Sequence, residues 1–315
     1  MTERCFRLVF MGTPDFAVPV LQALLEGPDQ VVAVVTRPDR PQGRGLTLTA
    51  PPVKSLALTA GVPLLQPEAI KTSAYREQLQ RFAPDLFIVA AYGRILPGSL
   101  VWLPPLGTIN VHGSLLPKYR GAAPIQRALM AGEHETGVTI MQMDEGMDTG
   151  DMLLKATLPI AQDETAGSLF ERVARLGAAT LRQALDLLRR GELQAEPQDG
   201  TLATLAPPLG KEEGHLDWGL PPSVLHCRIR GLDPWPSAYS FLAGRRLRLF
   251  APELATPPRA AAPGTILSAD PRGLTVATGG GGALRLREIQ PEGRKRLPVQ
   301  TYLPGGLLKP GDLLT

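Results

Sequence analysis

Over the first 190 residues, short apolar runs alternate with longer amphipathic stretches. The runs at 8–11, 31–35, 86–91, 108–112 and 138–143 are rich in Val and Ile with few polar interruptions, the pattern of strands covered on both faces of a sheet. Between them, 16–25, 74–82 and 124–131 repeat apolar residues at helical spacing, and 165–189 is the longest such pattern. Strands alternating with helices in this way predict an α/β fold with a doubly wound, mostly parallel, Rossmann-like sheet. Ligands of such sheets bind beyond the carboxyl ends of the strands.

This pattern stops at Gly191, after which Pro197, Gly200, Pro207, Pro208 and Gly210 interrupt every periodicity. The chain is therefore expected to divide into an α/β domain over 1–189, a linker over 190–208 and a second domain over 209–315. In the second domain, 242–250, 264–267, 274–278 and 283–289 read as short strands between Gly and Pro turns, which fits a smaller OB-like β-barrel. Gly279 to Gly282 is expected to be a hairpin loop, because a phosphate cradle needs a following helix and Leu284-Arg285-Leu286-Arg287 alternates like a strand. Asp233-Pro234-Trp235-Pro236 fixes a tryptophan between prolines, read first as a core anchor and second as an exposed stacking surface.

Composition adds bounds rather than identity. A length of 315 residues suits two domains, and 43% hydrophobic with 20% charged residues describes an ordinary globular chain. Cys5 and Cys227 are the two cysteines and match no metal-ligand spacing, so a reduced, cytoplasmic protein is expected. No secretory signal or membrane span is legible. Charge is more informative once divided along the chain: residues 1–189 carry 18 basic and 18 acidic groups, 190–206 carry 1 and 3, and 207–315 carry 14 and 9. The positive excess thus sits in the C-terminal third, where a solvated basic face and a polyanionic partner are both open readings.

The candidate chemistry centres on Asn110 and His112. Successive side chains of a strand alternate faces, so these two point the same way, and Gly113 then permits a sharp turn. An amide beside an imidazole suits chemistry at a carbonyl, one group steadying a developing oxyanion and the other moving a proton. A lone histidine in a strand is more often a satisfied core residue, but two polar groups facing one way both need partners. Asp148, in a Gly-flanked turn after the run 138–143, is expected at the same sheet edge, where a carboxylate would orient the imidazole. Asp is also an ordinary turn residue, and Asp144, Glu145 and Asp151 are close rivals. A metal site is not expected, since His134 is the only other histidine nearby in sequence. Gly12-Thr13-Pro14-Asp15 stands where a dinucleotide fingerprint would but lacks its second and third glycines, so NAD is not expected. The polar stretch 36–45, with Arg37, Arg40 and Arg44 against Asp39, reads as a mobile, anion-seeking loop leaving the same edge.

Asn110, His112, the SLLP segment Ser114 to Pro117 and Asp148 together resemble the folate-dependent formyltransferases. FMGTPDFAVPVL at 10–21, PDRPQGRG at 38–45, VHGSLLPKYRGAAPIQRAL at 111–129, GVTIMQMDEGMDTGD at 137–151 and DPWP at 233–236 carry the resemblance. It spans most of the chain and is weakest at 190–210 and at the extreme C-terminus. It implies a formyltransferase fold, with Asn110, His112 and Asp148 catalytic and 10-formyltetrahydrofolate as formyl donor without a metal. The donor would lie along Ser114, Leu115, Leu116 and Pro117. The arginine loop and the basic barrel point within the family to initiator methionyl-tRNA as acceptor, with Arg40 and Arg44 at its acceptor end and the barrel holding its body. A monomer without membrane contact is expected. Transfer to a small amine, such as an amino sugar nucleotide or a purine precursor, and a non-catalytic RNA-binding role are the competing readings. Whether His112 acts as acid, base or electrostatic clamp is left open by sequence.

Overall fold

A computed structural model of the chain describes residues 5–42, 47–257 and 259–315. The chain forms two compact units: Met1–Pro124, Thr136–Leu158 and Phe170–Pro207 in the first, and Ile125–Glu135, Pro159–Leu169 and Pro208–Thr315 in the second. The elements run β1 (Arg7–Gly12), α1 (Ala17–Leu25), β2 (Gln30–Val35), β3 (Arg40–Gln42), β4 (Thr47–Thr49), α2 (Pro52–Thr59), β5 (Leu64–Leu65), α3 (Ser73–Gln80), β6 (Leu86–Ala90) and α4 (Gly98–Val101). There follow β7 (Thr108–His112), β8 (Arg120–Gly121), α5 (Pro124–Met130), β9 (Glu135–Gln142), β10 (Met152–Pro159), α6 (Ala166–Arg190) and β11 (Leu205–Ala206). The remainder is α7 (Pro222–Gly231), β12 (Tyr239–Leu242), β13 (Arg245–Ala255), β14 (Ile266–Asp270), β15 (Gly273–Ala277), β16 (Ala283–Pro291) and β17 (Leu297–Pro298).

The first unit is built on a sheet of order β10-β9-β7-β6-β1-β2-β5. β1 lies parallel to β2 and β6, β2 to β5, and β6 to β7, as the apolar runs predict. The interiors of β1, β2 and β6 are buried without a break because both faces are covered. Val9, Met11, Phe87 and Val89 pack with Tyr75 and Leu79 of α3.

β9 departs from the expectation. It runs antiparallel to β7, with His112 opposite Thr139 and Ile109 opposite Gln142, so its carboxyl end lies at the opposite edge from that of β7. A continuous apolar run reads the same in either direction, which is why periodicity could not give this. β10, which the sequence reading lacks, is the outermost strand of the sheet, and its burial alternates. The long helix ends as expected at Gly191, whose φ is 71°. Residues beyond it, expected as a linker, bond to the first unit: Glu196 exchanges two backbone hydrogen bonds with Met152, and β11 lies parallel to β8.

The second unit carries an antiparallel sheet of order β12-β13-β16-β15-β14, with β17 on β16. The last residues join its two edges. The Phe241 N–H donates to the Thr315 carbonyl at 2.7 Å and the Ile266 N–H to the Asp312 carbonyl at 2.8 Å, with bridges from Leu314 to Leu242 and from Leu313 to Thr265. This closes the sheet into a barrel around Leu249, Ile266, Val276, Leu284 and Ile289. The stretch read as one strand at 242–250 is instead two strands turning at Ala243-Gly244, both at positive φ as a tight hairpin requires. Gly279 to Gly282 joins β15 and β16 as the expected hairpin. α7 is an addition, placing Leu225 and Ile229 in the barrel core. Trp235 is not a core anchor: it is 53% exposed, whereas Trp218 is buried and donates from Nε1 to the Ser240 hydroxyl at 3.0 Å.

Candidate active site

Asn110 and His112 share one face of β7, as the period of a strand dictates. Asn110 is half-buried, and its side-chain amide has no hydrogen-bond partner among the described residues. His112 is only 5% exposed. Its Nε2 lies 3.0 Å from the carbonyl oxygen of Tyr119. A carbonyl can only accept, so Nε2 carries a hydrogen, and Nδ1 is the nitrogen at which a proton can be gained or lost. Nδ1 faces the Asp148 carboxylate, with Oδ2 at 3.7 Å.

Asp148 arrives by a route the sequence reading did not foresee, because the loop after β9 starts from the far edge of β7. The loop folds back tightly: the Gln142 N–H donates to the Asp151 carbonyl at 2.9 Å, and a Cβ at Gly150 would collide with the Gln142 carbonyl. Asp148 then stands at φ 55° and its Oδ2 accepts the Gly121 N–H at 2.8 Å. Tyr119, which supplies the carbonyl to His112, stands at φ 63°. Two non-glycine residues in the left-handed region at one site mark backbone held by its surroundings rather than by preference. The carboxylate is thereby fixed by a backbone donor on one side and turned toward the imidazole on the other.

The segment expected to hold the donor is pinned to the protein. The Ser114 hydroxyl donates to the Lys118 carbonyl at 2.7 Å, and Thr139 Oγ1 both donates to the Ser114 carbonyl at 2.8 Å and accepts the Leu116 N–H at 3.0 Å. Leu116 is 2% exposed and packs with Met141 and Met152, so its side chain belongs to the core. Leu115 and Pro117 are half-exposed.

Of the arginine loop, Arg40 is exposed on β3, which pairs with β4, while Arg44 lies outside the described residues. Asp39, the one acid of that stretch, accepts from Gln66 at 2.8 Å and from Lys54 at 2.7 Å, which keep its carboxyl below the usual range. It is thus engaged away from the arginines. Arg37 keeps a buried Nε with no hydrogen-bond partner among the described residues, and burial with Arg40 and Arg94 nearby lowers its guanidinium from its ordinary value. Among the described residues, no carboxylate is therefore paired with Arg37 or Arg40.

Among the rivals of Asp148, Asp144 accepts from Thr149 Oγ1 at 2.8 Å within its own turn and Glu145 is exposed. No group of three His, Cys, Asp or Glu side chains among the described residues is arranged to hold a metal ion. Sequence reasoning missed the backbone groups of Tyr119 and Gly121, which no side-chain motif reveals. It also missed Gln198, whose amide bonds the Asp148 loop from 50 residues away.

The model of the formyl transferase family matches residues 6–185, and that of the formyl transferase C-terminal domain matches 208–306. The chain is 55% identical to a methionyl-tRNA formyltransferase of Desulfotalea psychrophila over 96% of its own length and 94% of that protein's. It is 49% identical to one of Geobacter sulfurreducens over 98% and 96%. Among solved structures it resembles HypX from Aquifex aeolicus with a TM-score of 0.66 at 18% identity, a likeness of fold that covers 99% of this chain and about half (51%) of HypX. Matched in both its parts and half identical to such relatives along nearly its whole length, the chain belongs to the formyltransferase family.

Proposed function

We propose that this protein transfers the formyl group of 10-formyltetrahydrofolate to the α-amino group of methionine on initiator methionyl-tRNA. The observation that carries the reading is the Asp148 carboxylate turned onto Nδ1 of His112 on the same strand face as Asn110, in a chain about half identical to methionyl-tRNA formyltransferases end to end.

The neutral amine attacks the formyl carbon, and negative charge gathers on the formyl oxygen. Asn110, whose amide has no hydrogen-bond partner among the described residues, donates to that oxygen. His112 holds its ring by Nε2–H on the Tyr119 carbonyl and handles the proton at Nδ1, where Asp148 pairs with the charged ring. As the tetrahedral adduct collapses, the C–N bond to the folate nitrogen breaks, the amine's proton leaves through this pair, and the folate nitrogen regains a proton. Fixed groups with little freedom to relax suit this task, because donors already aimed at the developing charge need no reorganisation during the reaction.

The donor lies along Ser114 to Pro117, where Leu115, Pro117 and backbone groups are the surfaces on offer. Arg40 and Arg44 contact the acceptor end of the tRNA, and the C-terminal barrel, with its excess of basic residues, holds the tRNA body. Its place of work is the cytoplasm, and no described helix is long and apolar enough to cross a membrane.

Acceptor competition tests this reading. With 10-formyltetrahydrofolate present, initiator methionyl-tRNA should be formylated, while free methionine, an amino sugar nucleotide and glycinamide ribonucleotide should not. Faster formylation of any of the small amines would overturn it.

A further inference from the structure

Gln198 lies in the stretch that sequence reads as a linker, yet every polar atom of its side chain is committed beside the His112 and Asp148 pair. Its Nε2 donates to the Asp148 carbonyl at 2.9 Å and to the Gly150 carbonyl at 2.7 Å. Its Oε1 accepts from Arg120 Nε at 3.1 Å and Nη2 at 2.8 Å. Arg120 stands between Tyr119, whose carbonyl holds His112, and Gly121, whose N–H holds Asp148. One amide therefore ties together the two turns that fix the imidazole and the carboxylate.

The chain around Gln198 repeats this bridging. Glu196 exchanges backbone hydrogen bonds with Met152 at 2.8 Å. Farther on, Thr204 accepts the Arg120 N–H on its carbonyl at 2.8 Å and the Tyr119 N–H on its hydroxyl at 2.9 Å. Both turns contain a residue at positive φ, Tyr119 in one and Asp148 in the other, and such backbone persists only where its surroundings over-determine it. Between Glu196 and Thr204, the Gln198 amide is a side-chain contact that reaches the backbone of Asp148 itself.

We propose that Gln198 is a positioning residue for formyl transfer: its amide clamps the Asp148 turn against Arg120 and so sets the carboxylate on Nδ1 of His112. The proposal rests on the assignment of Asp148 to the reaction, and the test separates the two. Carbonyl oxygens accept and cannot donate, so only a donor at the Nε2 position can hold them. Gln198→Glu keeps an acceptor for Arg120 but removes that donor; Gln198→Ala removes both halves.

The experiment measures kcat and KM for donor and methionyl-tRNA in the full-length protein carrying Gln198→Ala, Gln198→Glu, Asp148→Asn and the double change Gln198→Ala with Asp148→Asn. Asn is chosen because it tolerates the left-handed backbone at this position. Thermal unfolding of each variant controls for folding. Both Gln198 changes should lower kcat about tenfold with either KM within about twofold, the loss of two carbonyl hydrogen bonds at the reacting pair. In the Asp148→Asn background, Gln198→Ala should cost less than about twofold more, since a clamp with no carboxylate to place has nothing left to do. Full additivity would assign Gln198 to general stability and overturn the proposal, as would wild-type kcat in Gln198→Glu. If Asp148→Asn alone leaves kcat unchanged, the role of Asp148 falls and this proposal with it. If Asp148→Asn lowers kcat while both Gln198 changes do not, only the proposal for Gln198 falls.

Discussion

Two stretches of the first unit treat their charges in opposite ways. Around His112, the imidazole, the Asp148 carboxylate and the Gln198 amide each meet a fixed partner, much of it backbone. Around Arg37 and Arg40, the one acid of the stretch is already taken by Gln66 and Lys54, and neither guanidinium forms an ion pair with a carboxylate among the described residues. A closed network of this kind keeps reacting groups in one geometry, which catalysis of a charge-developing step needs. An uncompensated cluster of guanidiniums gains its counter-charge from a ligand, which suits recognition of carboxylate or phosphate. The first arrangement should govern kcat and the second KM.

That division can be broken most forcefully at His112. His112→Ala should lower kcat by about 10²- to 10⁴-fold, the usual worth of a positioned acid or base, with KM for methionyl-tRNA little changed; steady-state kinetics at saturating donor checks it. Asn110→Ala should cost about 10²- to 10³-fold in kcat, as loss of one oxyanion donor does. Near-normal turnover with an intact fold would remove Asn110 from the chemistry.

The arginine edge should behave differently. Arg37→Ala combined with Arg40→Ala should raise KM for methionyl-tRNA about tenfold while kcat stays within about twofold, since charge-assisted hydrogen bonds to the ligand are lost from ground and transition states alike. The salt dependence of tRNA binding should become shallower by roughly one unit of log–log slope per phosphate contact removed. A drop confined to kcat would place these arginines in the chemistry and erase the contrast.

How legible this contrast was from sequence depends on where each group comes from. Asn110 and His112 were legible because a strand's period of two puts residues two apart on one face whatever the fold. The identity of Asp148 was legible in its turn, but its approach was not: the antiparallel entry of β9 follows from tertiary pairing, and an apolar run carries no arrow. The Tyr119 carbonyl and the Gly121 N–H are backbone atoms, which every residue owns, so composition cannot single them out. Gln198 gave no signal because its partners lie far along the chain and the surrounding Pro and Gly residues read as a connector. In the barrel, the hairpin at Gly279 to Gly282 was legible from its glycines, whereas the local pattern did not tell the exposed Trp235 from the buried Trp218.

The smallest expected effect contrasts this edge of the first unit with the interior of the second. Burial, with Arg230 beside it, holds the His226 imidazole below its ordinary value, against an upward pull from the Pro252 backbone. A ring that is harder to protonate when folded takes up a proton on unfolding as pH falls below about 6.5. Its contribution to stability is therefore complete above that pH and is lost as pH falls through it, with a slope of at most about 1.4 kcal/mol per pH unit. Thermal unfolding between pH 7.5 and 5.5 should show this decline, and His226→Gln should flatten it. An unchanged pH dependence in the variant would assign the decline to other groups.

The central claim, that the carboxylate turned onto His112 acts in the chemical step, is tested most directly by single-turnover formyl transfer to methionyl-tRNA with Asp148→Asn at saturating donor and excess enzyme. The account predicts that the transfer rate falls about a hundredfold or more, within the range of positioned proton-transfer groups, while methionyl-tRNA binding is unaltered. A transfer rate equal to that of the unaltered protein would contradict it.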